Sequence, residues 1–369
     1  MNLSDFDFHL PENLIAQTPL EKRDSSKLFF YDKKNNSKQH KKFSEIIDLV
    51  DENSVLVFNK SRVIPARIIF YDERNPRITN KQKEEKELEI FLSKQISAEE
   101  NKQVWECLVY PWNRFKVWKE YFLWWMKIKV EKFDQEKISW VREISFEFEK
   151  IFLDDEKISE TEKNFFNWLK KFWNIPSPAY INQIFEEERY QTVFSESWNS
   201  VAAPTASLHF TEELLERLRK KWVQTEFVHL DVWIWTFLPV KTENVLEHEM
   251  HSENFSIDKK TAENLNKAKK NWKKIIAVGT TSIRVLETVA NKFWWELKKF
   301  SWDTDIFIYP WYKWKFIDEM ITNFHLPKST LLMLVSSFIW KEDLFEVYKE
   351  AIEKKYRFYS FWDAMYLKR

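Results

Sequence analysis

The sequence predicts an α/β protein: a discontinuous main α/β layered domain, residues 1–72 and 178–369, with a small antiparallel β-barrel domain, residues 73–177, inserted into it. Three observations carry this. After about residue 180, helical periodicity alternates with short apolar runs, as expected of helices layered on a sheet. Between 88 and 152 the pattern changes to closely spaced alternating runs, ELEIFL, VWECLV, MKIKVEKF and ISFEFEKI, which suit a small antiparallel barrel or sandwich. A polar stretch, DERNPRITNKQKEEKE (72–87), precedes them and reads as solvated.

Taken in order, residues 1–70 form short elements ending in a buried strand, VLVF (55–58), followed by NKSRVIPARI. The second half gives a helix over 211–221, a strand over 226–232 and a helix over 259–270. A strand over 274–278, a helix over 281–291 and strands over 305–309 and 320–324 come next. Helices over 329–339 and 342–355 complete the set. No internal repeat and no low-complexity tract interrupts them.

Composition narrows the function. The chain has 369 residues, 44% hydrophobic and 31% charged, enough for two or three domains with a sizeable core. Lys plus Arg and Asp plus Glu both number 58. A molecule of zero net charge is no general cationic sponge, so any RNA contact must use a local patch. The single cysteine, Cys107, excludes an intramolecular disulfide and a multi-cysteine zinc site. No apolar run reaches 18 residues and the first segment, MNLSDFDFHLPENLIAQ, is acidic. Both features argue against a spanning helix and a signal peptide, so a cytoplasmic protein with no membrane partner is expected.

One count is anomalous. At an average usage of roughly 7% the chain should hold about 26 glycines, yet it has 1, and 20 tryptophans. The tryptophans stand where glycine belongs. Pro111-Trp112 and Pro310-Trp311 sit at turns where the residue after proline often needs positive φ. Trp222 and Trp272 follow helical runs at the position where a left-handed residue closes a helix. A Cβ makes that conformation costly. The expectation is that most of these positions are glycine in the cell, UGA being read as glycine and written as tryptophan. Trp105, in a strand-like run, reads as a true tryptophan.

Five of the seven histidines, His209, His229, His248, His251 and His325, fall between 209 and 325. They mark this stretch as the place to seek proton transfer. His248 and His251 are three apart, but no third ligand has a convincing spacing, so no metal is expected. His229 and His248 read as satisfied surface or core histidines. IIAVGTTSIRVLET (275–288) is a strand, the lone Gly279, a Thr-Thr-Ser turn and a helix carrying Arg284. Such a turn offers N–H groups and hydroxyls to an anion, or merely caps a helix. Asn59, Arg62 and Arg67 lie just past a strand end, suited to a carboxylate or phosphate, or simply solvated. Glycine at Trp233 and Trp235 would give a GxG turn that lets a ligand approach the backbone. Basic clusters at 33–42, 267–274 and 354–357 are solvated faces or phosphate grips.

Together these segments resemble the S-adenosylmethionine:tRNA ribosyltransferase-isomerase family of queuosine biosynthesis. The resemblance runs over essentially the whole chain. It is carried by SDFDFHLPENLIAQTPLEKRDSSKL (4–28), LVFNKSRVIPARI (56–68), ERYQTVFS (188–195), VAAPTASLHFTEELLERL (201–218) and EHEMHSE (247–253). AVGTTSIRVLET (277–288), IFIYPWYKWKFIDEMITNFHLPKSTLLMLVSSF (306–338) and EKKYRFYSFWDAMYL (353–367) extend it. The family pattern has glycine where this chain has Trp112, Trp222, Trp233, Trp235, Trp311, Trp340 and Trp362. The chain departs from the family at Ser207, where it has glycine, at Lys60 and Ser61, and at Asp231, where it has histidine.

The resemblance implies an enzyme that acts, as a monomer, on tRNA carrying 7-aminomethyl-7-deazaguanine at the wobble position. S-adenosylmethionine is consumed as a ribosyl donor, giving epoxyqueuosine in tRNA plus adenine and methionine. It implies His209 as the leading acid/base group, with His251 or His325 as a second. Gly279, Thr280, Thr281, Arg284, Trp233 and Trp235 fall to the sulfonium nucleoside, and Asn59, Arg62, Arg67, Thr205 and Asn323 to the tRNA. Two alternatives stay open. A Rossmann methyltransferase would need a glycine-rich loop near the N-terminus, and none is found even with glycines restored. A non-catalytic or inactivated tRNA-binding protein would follow if the tryptophans are real and fill the pocket.

Overall fold

The computed structural model describes residues 1–64, 66–71, 87–99, 101–123, 125–133, 140–148, 165, 169, 173–174, 187–232, 240, 242–358 and 363–369. The chain divides into two compact units, Met1–Val63 with Pro178–Arg369, and Ile64–Ser177. In chain order the strands are β1 (Lys27–Asp32), β2 (Ser37–Lys42), β3 (Ser54–Asn59), β4 (Ser61–Val63), β5 (Arg67–Phe70), β6 (Leu88–Ala98), β7 (Lys102–Tyr110), β8 (Glu120–Leu123) and β9 (Met126–Lys132). They continue with β10 (Val141–Phe148), β11 (Trp173–Asn174), β12 (Ser197–Ser200), β13 (Gln224–Leu230), β14 (Glu253–Ile257), β15 (Lys274–Val278), β16 (Phe300–Thr304), β17 (Glu319–Asn323) and β18 (Ala364–Lys368). The helices of the larger unit are α1 (Ile46–Leu49), α2 (Glu212–Lys220), α3 (Lys259–Lys270), α4 (Thr280–Lys292), α5 (Thr330–Ile339) and α6 (Lys341–Glu353).

The larger unit is built on a nine-stranded sheet in the order β16-β14-β13-β3-β15-β17-β18-β1-β2. Its four central strands, β13, β3, β15 and β17, run parallel. In β3, Val55 and Val57 join a core completed by apolar residues of α3, α4, α5 and α6. Leu56 and Phe58 join a second core with residues of α1 and α2. Both faces are covered, which is why this strand reads as an unbroken apolar run. The helices are seated by capping residues: the side chains of Thr211, Asp258 and Ser329 accept from the N–H of Leu214, Thr261 and Leu332.

Helix ends show where the sequence demands a left-handed residue. After α2, Trp222 N–H donates to the Arg219 carbonyl and Val223 N–H to Leu218, and after α3, Trp272 and Lys273 repeat the pattern on Lys269 and Ala268. These are Schellman closures, which place their penultimate residue at positive φ. Trp222 has φ 67° and Trp272 φ 60°. Trp311, after Pro310, has φ 73°. Trp112 differs from the sequence expectation: it opens a 3-10 turn, Trp112–Arg114, and is not among the positive-φ residues.

The strand expected over 305–309 is also corrected. β16 lies immediately before it and takes the free edge of β14, with Thr304 opposite Glu253. Beyond Thr304 the apolar run is used for packing instead of pairing: Ile308 is buried and Ile306, Phe307 and Tyr309 lie against the same core.

The smaller unit is an antiparallel seven-stranded sheet in the order β11-β5-β6-β7-β10-β9-β8. It starts at Ile64 because β5 pairs with β6 and β11, whereas the change in polarity along the sequence comes at about 72. Alternate residues are buried, with Ile90 opposite Val109, Leu92 opposite Cys107 and Ile144 opposite Trp105. Trp105 is only 1% exposed and stacks on Phe165.

Candidate active site

The carboxyl ends of the four parallel strands, Leu230, Asn59, Val278 and Asn323, lie side by side in the larger unit. Open α/β sheets bind ligands outside such ends. Asn59 is fully buried and clips two of them together: its Oδ1 accepts from the N–H of Ser61 and Leu230, and its Nδ2 donates to the Leu230 carbonyl. It positions the end of β3 through backbone bonds instead of reaching outward as expected.

Gly279 turns the end of β15 into α4. Its φ of 85° and ψ of 151° lie in a region reserved for glycine, and its N–H donates to the Ile321 carbonyl at 2.8 Å. A Cβ here would lie 3.7 Å from Ala206 Cβ and from Thr281 Oγ1. The segments meeting at Gly279 carry three buried polar atoms that lack a hydrogen-bond partner among the described residues: Ser207 Oγ, Thr281 Oγ1 and Asn323 Nδ2. Buried polar groups are almost always paired. Three without partners, beside the N-terminus of a thirteen-residue helix, make a cradle of donors for an anion or for hydroxyl oxygens. Thr280 and Thr281 open that helix, as expected. Thr205 begins the 3-10 turn, Thr205–His209, whose Ala206 lies against Gly279.

His209 belongs to the same cluster but not as a free base. Its Nδ1 lies 2.8 Å from Ser26 Oγ, its Nε2 lies 3.0 Å from Asn323 Oδ1, and its ring stacks on Phe43. Burial pulls its pKa down to about 4. A neutral ring that donates to Asn323 Oδ1 turns the amide so that Nδ2 is presented as a donor. His325 is 4% exposed, contacts Thr322 Oγ1 at 3.1 Å, and is held by burial at a pKa of about 3. His251 is exposed on the loop ahead of β14. The Asp231 N–H donates to the Asn254 carbonyl, which brings that loop to the same end of the sheet.

The histidine that sequence reasoning set aside holds the most suggestive geometry. His229 and Asp231 are two apart at the end of β13, so they share a face, and Nε2 lies 2.6 Å from the Asp231 carboxylate. A carboxylate there orients the ring and fixes its tautomer, as in a proton-transfer pair. The HLD spacing was the available signal.

Two expectations are corrected. Arg284 is 3% exposed and is spent on an ion pair with buried Glu253 and a bond to the Thr304 carbonyl, tying α4 to β14 and β16. Burial lowers its pKa to about 10, which leaves it charged at neutral pH. Removing Glu253 strands that charge, so Glu253→Ala should cost about 3–5 kcal/mol of stability in denaturant titration. Arg67 lies within β5 of the smaller unit, where its Nε donates to Glu89 at 2.6 Å across the ladder. Arg62, in the larger unit, binds Ser195 Oγ and Glu188. Trp233 and Trp235 lie outside the described residues. Among those residues no cluster of His, Cys, Asp or Glu is placed to hold a metal ion, and no helix is long and apolar enough to cross a membrane.

The buried histidines make stability depend on pH. The unfolded chain binds protons at about pH 6.5 that folded His209 and His325 refuse. Stability is therefore complete above that value and falls as the pH drops towards 4 and below. His209 alone should account for on the order of 3 kcal/mol between pH 7 and 4. Denaturant midpoints at the two pH values test this, and His209→Gln should flatten the dependence.

The chain matches the family described as "Queuosine biosynthesis protein" over residues 3–367. It is similar to the solved structure of the S-adenosylmethionine tRNA ribosyltransferase from Thermotoga maritima, with 31% sequence identity and a TM-score of 0.52 over 98% of this chain and 99% of that one.

Proposed function

This chain belongs to the queuosine biosynthesis protein family, and from that premise we propose that it is an S-adenosylmethionine tRNA ribosyltransferase-isomerase whose reaction takes place at the carboxyl ends of β13, β3, β15 and β17. The acceptor is the aminomethyl nitrogen of 7-aminomethyl-7-deazaguanine at the wobble position. The ribosyl part of S-adenosylmethionine is transferred and rearranged to give epoxyqueuosine, and adenine and methionine leave. The chain acts as a monomer in the cytoplasm, where its tRNA substrate is found. Every residue invoked comes from one unit of one chain.

The observation that carries the placement is the trio of buried, unpartnered polar atoms at Gly279. The sulfonium acidifies the adjacent 5′ carbon, so a modest base suffices to begin the rearrangement. The N-terminus of α4, with Thr280 and Thr281, binds the methionine carboxylate. Asn323 Nδ2 and Ser207 Oγ hold ribose oxygens, with His209 as a positioning residue behind Asn323. The His229–Asp231 pair moves the proton, and buried His325 stays neutral and structural. The test is product analysis after incubation with tRNA bearing the aminomethyl base. Equimolar free adenine and methionine are expected; S-adenosylhomocysteine would mean methyl transfer instead.

We propose further that the tryptophans at positive φ are glycines in the source organism. Supporting this, among the described residues seven of the ten non-glycine residues with positive φ are tryptophan: 118, 222, 272, 294, 295, 311 and 340. Trp340, which caps α6, has φ 72° and ψ 148°, nearly the conformation of Gly279. All seven are between 57% and 87% exposed. Trp105 and Trp314 differ. They are 1% and 8% exposed, and their indole N–H groups donate to Gln103 and to the Ser337 carbonyl. Burial with a satisfied N–H is how a genuine tryptophan is used.

A further inference from the structure

Two basic clusters more than 300 residues apart in the chain meet at one groove of the larger unit. Its lining contains Lys27, Lys41, Lys42 and Lys354 against a single acidic residue, Glu45, with His40 and Tyr356 completing it. Four lysines less one glutamate leave an excess of three positive charges, in a chain whose net charge is zero. Lys27 is fixed: its ammonium donates to the carbonyls of Lys354 and Lys355 and sits over the Tyr356 ring, so it offsets the negative end of α6. Lys41 contacts Glu45 at 3.6 Å. Lys42 and Lys354 are exposed; Glu45 accepts from the Lys42 backbone N–H, and neither ammonium closes an ion pair among the described residues.

The register of the sheet fixes where this groove lies. Asn323 of β17 is opposite Ala364 of β18, Ala364 is opposite Leu28 of β1, and Leu28 is opposite Lys41 of β2. This single row runs along the same end of the sheet as the cradle at Gly279. Three ladder steps of about 4.8 Å put the β2 lysines roughly 14 Å from Asn323, a few nucleotides of RNA backbone. Ser26, which contacts His209, directly precedes Lys27.

We propose that this groove, with Lys41, Lys42 and Lys354 as its contacts, binds the phosphodiester backbone of the tRNA beside the nucleotide being modified. The proposal rests on the tRNA reading above and adds the surface that receives the RNA. Lysines on an edge strand also discourage edge-to-edge pairing, and the test separates the two roles.

The full chain carrying Lys41→Ala, Lys42→Ala and Lys354→Ala is compared with the unaltered chain for binding of a tRNA transcript between 50 and 200 mM salt, and for its KM for S-adenosylmethionine. Each lost phosphate contact flattens the salt dependence by about 0.7–0.9, so losing three should lower the slope by about 2–3 and raise the Kd at least about tenfold. The KM for S-adenosylmethionine should be unchanged. Lys42→Glu alone should weaken binding in the same direction, which guards against misfolding of the triple variant. Lys267→Ala with Lys273→Ala, at the opposite end of the parallel strands, should leave the Kd unaltered. An unchanged Kd and slope in the triple variant would overturn the groove and leave only the edge-protection role. If the unaltered chain itself shows no salt-dependent tRNA binding, the tRNA reading fails together with the groove.

Discussion

Replacing the seven positive-φ tryptophans by glycine should stabilise the protein by about 1 kcal/mol at each position. A Cβ in the left-handed region costs about 1–2 kcal/mol, and glycine returns part of that through its greater freedom when unfolded. Sites that stand apart should nearly add, whereas adjacent Trp294 and Trp295, and Trp311 with Trp340, which line one pocket, are close enough to couple. Solubility should improve as well, because the exposed indoles are removed from the surface. The control has the opposite sign. Trp105→Gly or Trp314→Gly empties a buried site and should cost at least about 3–5 kcal/mol. Denaturant midpoints of the two sets decide the matter, and equal destabilisation in both would count against glycine at the exposed positions.

His229→Ala should lower kcat by about 10²–10⁴, the usual contribution of a positioned proton-transfer group. Asp231→Asn should do most of the same damage, since an amide in contact with Nε2 can hold the ring in the wrong tautomer. His209→Ala acts differently, through Asn323: KM for S-adenosylmethionine should rise while the pH profile of kcat keeps its shape. A His229→Ala enzyme with unchanged kcat would return the proton transfer to another group, with His251 next in line.

The fold was legible wherever local chemistry and packing agree. Thr211 and Trp222 bracket α2 in the sequence as they do in the structure, and VLVF is apolar throughout because both faces of β3 are covered. The run over 305–309 misled because an apolar segment does not reveal whether it will pair or pack, and β14 accepted β16 instead. At the site, the Gly-Thr-Thr turn was readable from its own residues. The fate of Arg284 was not, because its partner Glu253 lies 31 positions away in sequence and only the fold brings them together. His209 was found by clustering, yet its restraint by Ser26 and Asn323 is a tertiary fact. His229 and Asp231 were readable from their spacing, but histidines on strands are so often merely satisfied that the pair was passed over.

Peptide mass spectrometry of the protein purified from its own organism tests the central claim most directly. Peptides spanning positions 222, 272, 311 and 340 should carry the mass of glycine, while those spanning 105 and 314 carry tryptophan. Tryptophan at 222, 272, 311 and 340 in the natural protein would contradict the account.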